Sequence, residues 1–201
     1  MSSDATNASQ LGGHMTRLPY PDPKNVPPAV RALLDARPPR NVFRMLAHAP
    51  ALMPGVMELT AAILYKAKLD PALRELAILR VGHLCGSAYE VSQHRNISLA
   101  VGLSQEKIDG TKSDADSNLY EERELLVLRM TEQVVRNIKA DDALFSAAVA
   151  ALGHEQTMEL LILIGVYVML AQVLENAEVD LEAGGGTPLQ DVLKIFGKQA
   201  K

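Results

Sequence analysis

The sequence predicts an all-α protein, and three observations support this fold class. Apolar residues recur at a spacing of three to four, as in Val56, Leu59 and Ile63, which is typical of a helix that buries one side. Strict alternation of apolar and polar residues, the signal of a half-buried strand, is absent over any useful length. The segment 160–170 is apolar nearly all round, so we expect a helix that is covered on every side.

Length and composition indicate one globular domain without a basic surface. The chain has 201 residues, 48% of them hydrophobic and 22% charged, which is enough to bury one core. Its 20 Lys plus Arg against 24 Asp plus Glu give a formal net charge of -4, so nucleic acid is not an expected partner. The single cysteine, Cys85, cannot form an internal disulfide, and a reducing, cytoplasmic setting is expected.

The chain is predicted to be a flexible tail, 1–15, followed by a single domain, 16–201. The tail lacks the cationic and apolar regions of a secretory signal. The first part of the domain, 16–53, is rich in proline, so only short helices fit there and the segment is expected to wrap over the body as an arm. The apolar segment 160–174 is too short to cross a bilayer, so a membrane is not an expected partner.

Caps and glycines divide the rest of the chain into helices. Asp70, Ser104 and Asp141 are predicted N-caps, and Gly102 and Gly153 are predicted ends. The predicted helices are 29–36, 42–48, 54–68, 71–84, 87–101, a short piece after Ser104, a long helix that starts at Asn118 and Glu121 and ends near 138, 141–153, 155–177 and 189–196.

Residues that can carry chemistry cluster in one short stretch. Glu75 is followed by eleven residues, Ser87, two residues, Glu90, three residues and His94. With the flanking sequence over about 42–182, this stretch resembles the carboxymuconolactone decarboxylase and AhpD-like superfamily, whose peroxidase branch carries the motif E-x11-C-x2-C-x3-H. The spacing is intact, but serine and glutamate replace both cysteines.

The resemblance implies an AhpD-like helical bundle and a site built on this motif. Ser87 and Glu90 exclude the two-cysteine peroxidase cycle, because a peroxide oxidises neither residue reversibly. The decarboxylase branch carries a glycine, an acidic residue and a histidine at the spacing of Gly86, Glu90 and His94. That branch implies cofactor-free, histidine-assisted proton transfer on a lactone acid that loses carbon dioxide.

The residues themselves also point to acid/base chemistry. Glu90 and His94 lie four apart on one predicted helix, so they share a face and can hydrogen-bond. Such a bond would fix the imidazole tautomer and raise its basicity. Ser87 could bind a substrate carboxylate or enolate, or it could only form a capping box with Glu90. Tyr89 flanks this face, and Glu75 could support His94 from the preceding helix or form a structural salt bridge.

We therefore predict three catalytic residues, His94, Glu90 and Glu75, and three substrate-binding residues, Ser87, Tyr89 and Arg80. Arg80 could pair with an acidic substrate or serve only the structure. His83, Glu90 and His94 would form one stripe on a straight helix, which could suggest a metal site. Gly86 is expected to break that stripe, and the resemblance implies a metal-free family with a cofactor-free reaction, so neither a metal nor another cofactor is predicted.

The predicted function is that of an acid/base enzyme of the carboxymuconolactone decarboxylase type. Its expected substrate is a small carboxylated or cyclic molecule that undergoes decarboxylation, lactone opening or isomerisation. Two alternatives stay open: an antioxidant peroxidase-related protein that uses Cys85, and a non-catalytic binding protein on the same fold. We also expect a homo-oligomer, a dimer, trimer or hexamer, since the surplus of apolar and methionine side chains suits a subunit interface.

Overall fold

A computed structural model describes residues 16–115, 118–183, 185–186 and 188. These residues form eight α-helices and no β-strand, which confirms the predicted fold class. The predicted tail 1–15 and the predicted helix 189–196 lie outside the described residues. The helices are α1 (Pro28–Asp35), α2 (Asn41–Leu46), α3 (Met53–Tyr65), α4 (Pro71–Leu84), α5 (Ala88–Ala100), α6 (Gln105–Gly110), α7 (Glu122–Asn137) and α8 (Asp142–Ala177).

The proline-rich arm folds back onto the body, as its sequence predicts. Prolines confine it to one short 3-10 turn and the two helices α1 and α2, because each proline removes a backbone donor. Val26 and Val30 of the arm are buried against Met53 and Met57 of α3. The arm therefore has an apolar attachment to α3, and α2 is left beside the start of α5.

Helix α4 is the central element of the fold. Every residue from Leu73 to Gly82 is buried, and α4 packs against α5, α7 and α8. The sequence analysis expected this position for the apolar segment 160–170 instead. In the described chain that segment keeps an outward face at Ile162, which continues the exposed face of Met158 just before it. Helix α4 carries charged residues, so its sequence did not indicate that this helix would be buried at the centre of the fold.

Most helix ends follow local signals in the sequence. Asp70 accepts hydrogen bonds from the amides of Ala72 and Leu73, and the predicted caps Ser104 and Asp141 are both formed. The start of α7 differs from the prediction. Its N-cap is Glu121, which forms a reciprocal capping box with Glu124, so the helix begins after the predicted Asn118.

The two helices predicted at 141–153 and 155–177 form one kinked element, α8. Gly153 has φ 77° and ψ 170°, a conformation that favours glycine, and it marks the predicted break. By length and composition alone α8 qualifies as a candidate membrane span, with half of its most apolar window buried in the fold. Core helices of globular proteins pass the same test, so this is weak evidence for a membrane.

Gly110→Ala is expected to destabilise the protein by about 1–3 kcal/mol, because overpacking displaces fixed neighbours. A methyl group at Gly110 would lie 2.5 Å from a Leu119 carbon and 2.6 Å from the Tyr120 hydroxyl. The matched control is Gly55→Ala in α3, where no atom lies within 4 Å and helix propensity favours alanine by roughly 0.5–1 kcal/mol. Urea denaturation of both variants checks this; equal effects would contradict the packing at Gly110.

Candidate active site

A cavity of about 260 Å³ lies between the arm, α3, α5 and α8. Its volume suits a small organic molecule. One part of the wall is apolar, and the remainder carries charged and hydrogen-bonding groups. The lining residues are Arg37, Pro38, Arg40, Val42, Phe43, Leu46, Val56, Met57, Thr60, Ala61, Leu64, Tyr65, Tyr89, Glu90, Gln93, His94, Ile97, Tyr167, Leu170 and Leu174.

His94 reaches this cavity from α5 and is held by a carboxylate of α4. Its Nδ1 lies 2.7 Å from Oε2 of the fully buried Glu75. Oε1 of Glu75 accepts a hydrogen bond of 3.1 Å from Nε of Arg74. Because the carboxylate is the acceptor, the proton of a neutral His94 resides on Nδ1 and Nε2 is the basic nitrogen. Glu75 does not line the cavity, so it is a positioning residue rather than a substrate contact.

Glu90 lines the same cavity but does not bond to His94. Neither of its carboxyl oxygens has a hydrogen-bond partner among the described residues, and both are buried. Burial raises the pKa of Glu90 to about 8, and the nearby charge of Glu175 contributes. The predicted Glu90–His94 hydrogen bond is therefore wrong, because Glu75 already occupies Nδ1. A carboxyl group with this pKa is largely protonated at neutral pH and can donate a proton.

Ser87 is the N-cap residue of α5, but it forms neither of its predicted contacts. Its side chain makes no capping hydrogen bond, so the capping box expected with Glu90 is wrong. Ser87 is fully buried, it is not part of the cavity wall, and within the described residues its hydroxyl has no partner. Its placement gives no support to direct substrate binding.

Tyr89 lines the cavity and connects α5 to two other segments. Its hydroxyl donates to Oε1 of Glu182, 2.5 Å away, and accepts from the amide of Val42. Glu182 also accepts from the Asn41 amide at 2.8 Å and from the side chain of Gln93. One carboxylate beyond α8 thus fastens α2 to α5 at the edge of the cavity.

The structure does not bring Arg80 to the cavity. Its guanidinium is buried and donates to the backbone oxygens of Thr111 and Ser113 and to the Glu132 carboxylate, 2.7 Å away. These contacts tie α4 to α7 and to the loop after α6. The substrate-binding role expected of Arg80 has no support in this position, and the structural alternative fits it.

The sequence analysis did not predict several polar residues of the cavity wall, of which Tyr167, Arg37 and Arg40 matter most for its chemistry. Tyr167 of α8 stacks edge-to-face on His94, with ring centroids 5.1 Å apart. Arg37 and Arg40 of the arm are the cationic groups of the wall. The only signal for Tyr167 was a polar ring within an otherwise apolar segment. No pattern in the sequence around Arg37 and Arg40 indicated that the arm would place these two side chains at the cavity.

Cys85 and His83 lie outside this constellation. Burial and the charges of Glu90 and Glu175 raise the pKa of the Cys85 thiol, so its reactive thiolate is disfavoured. Burial lowers the pKa of His83, and the nearby cations Lys112, Arg80 and Arg95 contribute. Within the described residues, no group of three His, Cys, Asp or Glu side chains could hold a metal ion.

Comparison with known proteins supports the resemblance in the motif region and extends it to the fold. A family model described as the carboxymuconolactone decarboxylase family matches residues 50–133. A search of curated proteins finds no match. The fold is similar to the AhpD core of an uncharacterized peroxidase-related protein from Ralstonia eutropha JMP134, with a TM-score of 0.70 and 18% identity over 84% of this chain and 93% of that chain.

A second structure of similar fold comes from Agrobacterium tumefaciens. It is a protein of unknown function, provisionally described as an antioxidant defence protein AhpD, with a TM-score of 0.62 and 22% identity over 67% of this chain and 93% of that chain. At these identities the two structures establish the fold alone. Residues 50–133 are thus similar to the carboxymuconolactone decarboxylase family, and the described chain has an AhpD-like fold.

Proposed function

We propose that this protein is a cofactor-free acid/base enzyme of the carboxymuconolactone decarboxylase type. The observation that carries the proposal is the Glu75–His94 pair at the wall of a cavity that Glu90 also lines. Its substrate is a small carboxylated or cyclic organic molecule, and the reaction is a decarboxylation, a lactone opening or an isomerisation. Of these three reactions we favour decarboxylation, a lyase reaction, because it is the reaction of the decarboxylase branch that the chain resembles.

His94 is the proposed proton-transfer group. Nε2 accepts a proton from the substrate, while Glu75 holds the ring through Nδ1 and stabilises the imidazolium that forms. Glu90 is the proposed acid, because a buried carboxyl with a pKa of about 8 keeps its proton at pH 7. The two groups thus take opposite roles at neutral pH.

The charge of the wall favours an anionic substrate. Arg37 and Arg40 are half-buried cations at the cavity, and a guanidinium suits a carboxylate in charge and geometry. Phe43 and Leu46 of the same arm supply apolar surface beside them. We propose that the carboxylate of the substrate lies toward these arginines and its reacting carbon toward His94.

The alternatives receive less support. A one-cysteine peroxidase would need a stabilised thiolate, and the surroundings of Cys85 raise its pKa instead. A non-catalytic binding protein is compatible with the cavity, but the polar groups that face it suit proton transfer. Turnover of a small-molecule substrate would distinguish the proposed enzyme from a non-catalytic binding protein.

The test of the proposed function is a substrate screen followed by a histidine substitution. Small lactone acids and unsaturated keto acids are incubated with the protein, and product formation is followed by mass spectrometry. His94→Ala is expected to lower kcat by about 10²–10⁴-fold, the usual contribution of a positioned acid or base. The control is His154→Ala, at an exposed position of α8 outside the cavity. Equal turnover by both variants would refute the proposed role of His94.

We also propose that the protein forms a homo-oligomer through the outer face of α8. Met158 and Ile162 are 57% and 44% exposed there, and adjacent exposed apolar side chains are typical of an interaction site. Ile162→Lys is expected to reduce the mass measured by light scattering to that of one 21.8 kDa chain. The same substitution at exposed Glu178 is the control. A monomeric wild-type protein would exclude the oligomer.

A further inference from the structure

We propose that the cavity binds an acid with a single carboxylate and a medium-length apolar body, and that Arg37 is the residue that anchors the carboxylate. This inference rests on the proposed function and narrows its substrate class from small carboxylated molecules in general to hydrophobic monocarboxylates. It excludes the polar diacids and triacids that a pocket with two available cations would admit.

The first step of the argument concerns the surroundings of Arg37. This side chain is half-buried at the cavity wall. Within the described chain, its guanidinium donates to one acceptor, the uncharged backbone oxygen of Leu33 at 3.3 Å. A guanidinium has several N–H donors, arranged so that two of them can hold one carboxylate in parallel. Most donors of Arg37 are therefore open to a ligand.

The second step is that Arg40, the other arginine of the wall, has a protein carboxylate beside it. Arg40 immediately precedes Asn41, whose amide donates to Oε1 of Glu182 at 2.8 Å. The same carboxylate accepts from the Tyr89 hydroxyl, on which the charge of Arg40 acts. Glu182 thus offsets Arg40, and Arg37 is left as the unbalanced arginine among the described residues of the wall.

The third step is that a second ligand carboxylate would meet no available cation. Glu90 on the same wall has two buried oxygens without partners among the described residues. A carboxylate beside Glu90 would face a like charge whenever Glu90 ionises. Beside the apolar wall it would lose its hydration without compensation. The wall therefore favours a ligand with one negative charge.

The fourth step is that the rest of the wall suits an apolar body. Apolar side chains line the cavity from every element that surrounds it, and they include Phe43, Met57, Leu64, Ile97, Leu170 and Leu174. The volume of about 260 Å³ holds roughly eight or nine groups the size of a water molecule, so an acid of about six to eight carbons fills it.

The test is isothermal titration calorimetry at pH 7 with saturated acids, which bind without reacting. The probes are butanoate, hexanoate, octanoate and adipate, the diacid with as many carbons as hexanoate. We expect one octanoate to bind per chain, and the affinity to rise about threefold to fourfold for each added methylene. Adipate should bind at least about tenfold more weakly than hexanoate, because its second carboxylate has no cation to meet.

Arg37→Gln is expected to weaken octanoate binding about 10- to 100-fold, the value of hydrogen bonds between charged groups. The same variant should bind 1-octanol, which has the chain without the carboxylate, within about threefold of wild type. The matched control is Arg31→Gln, at a half-buried position of the same arm outside the cavity wall, which should leave both ligands unaffected. The melting temperature of Arg37→Gln should stay near that of wild type, because the 3.3 Å bond to Leu33 lies within the arm.

A second variant tests the apolar body without touching a charge. Ala61 of α3 lines the cavity and is half-buried, so a leucine side chain there would take up part of the space. Ala61→Leu is expected to weaken octanoate binding by about tenfold or more, because fixed neighbours resist overpacking. Butanoate, which needs less room, should bind within about threefold of wild type.

The proposal is overturned if octanoate does not bind, if chain length leaves the affinity unchanged, or if adipate binds as tightly as hexanoate. Octanoate that binds Arg37→Gln as tightly as wild type would also overturn it, as would several octanoates per chain, which indicate adsorption to exposed apolar surface. His94-dependent turnover of polar diacids alone would refute this inference and leave the proposed function intact. Octanoate binding that depends on Arg37, without His94-dependent turnover in the substrate screen, would refute only the proposed function.

Discussion

Glu75→Gln is expected to lower the free energy of unfolding by about 3–5 kcal/mol, because removing one partner of a buried ion pair leaves the other charge uncompensated. Glu75 is fully buried, and it accepts from Arg74 and from His94. Arg74 is itself 3% exposed, so water cannot replace the lost carboxylate. For a chain of this length the melting temperature should fall by roughly 6–20 °C.

The control for this prediction is Glu155→Gln. Glu155 contacts Lys68 at 2.8 Å, but both side chains are more than half exposed, and exposed pairs contribute about 0–1 kcal/mol. Calorimetry of the two variants compares a buried carboxylate with an exposed one. If Glu75→Gln melts at the same temperature as Glu155→Gln, the account of α4 as a helix with a buried charge network is wrong.

Glu90→Gln is expected to stabilise the protein at alkaline pH by roughly 3–5 kcal/mol. In the folded protein the pKa of Glu90 is about 8, against an ordinary value of 4.5. Between these values the folded state binds a proton that the unfolded state has lost, so the free energy of unfolding falls as pH rises from about 4.5 to 8 and then levels off. Each tenfold change in proton affinity is worth about 1.4 kcal/mol, which sets the magnitude.

The measurement is urea denaturation of wild type and Glu90→Gln at several values between pH 5 and 9. Glutamine has no proton to lose, so the difference between the two proteins should grow toward alkaline pH and be small near pH 5. Glu175→Gln serves as a control, because it removes only the smaller cause of the raised pKa and should give a smaller effect. Parallel pH profiles of wild type and Glu90→Gln would contradict a neutral Glu90.

Local signals predicted the helices well and the site only in part. Caps such as Asp70 and Asp141 act within a few residues, so the sequence alone places them. The spacing of Glu90 and His94 established a shared face, but it could not show that Glu75 of α4 lies closer to the ring. Tyr167 and Arg37 reach the cavity only through packing of distant segments, which no short-range pattern encodes.

The position of Glu182 sets an order of assembly. The Asn41 amide at the start of α2 is held by an acceptor 141 residues later in the chain, and the same carboxylate holds Tyr89 and Gln93 of α5. During synthesis the ribosome releases Asn41 well before Glu182. The nascent protein can therefore pack α4 against α5 and α7, and the arm against α3, before Glu182 joins α2 to α5 and completes this edge of the cavity.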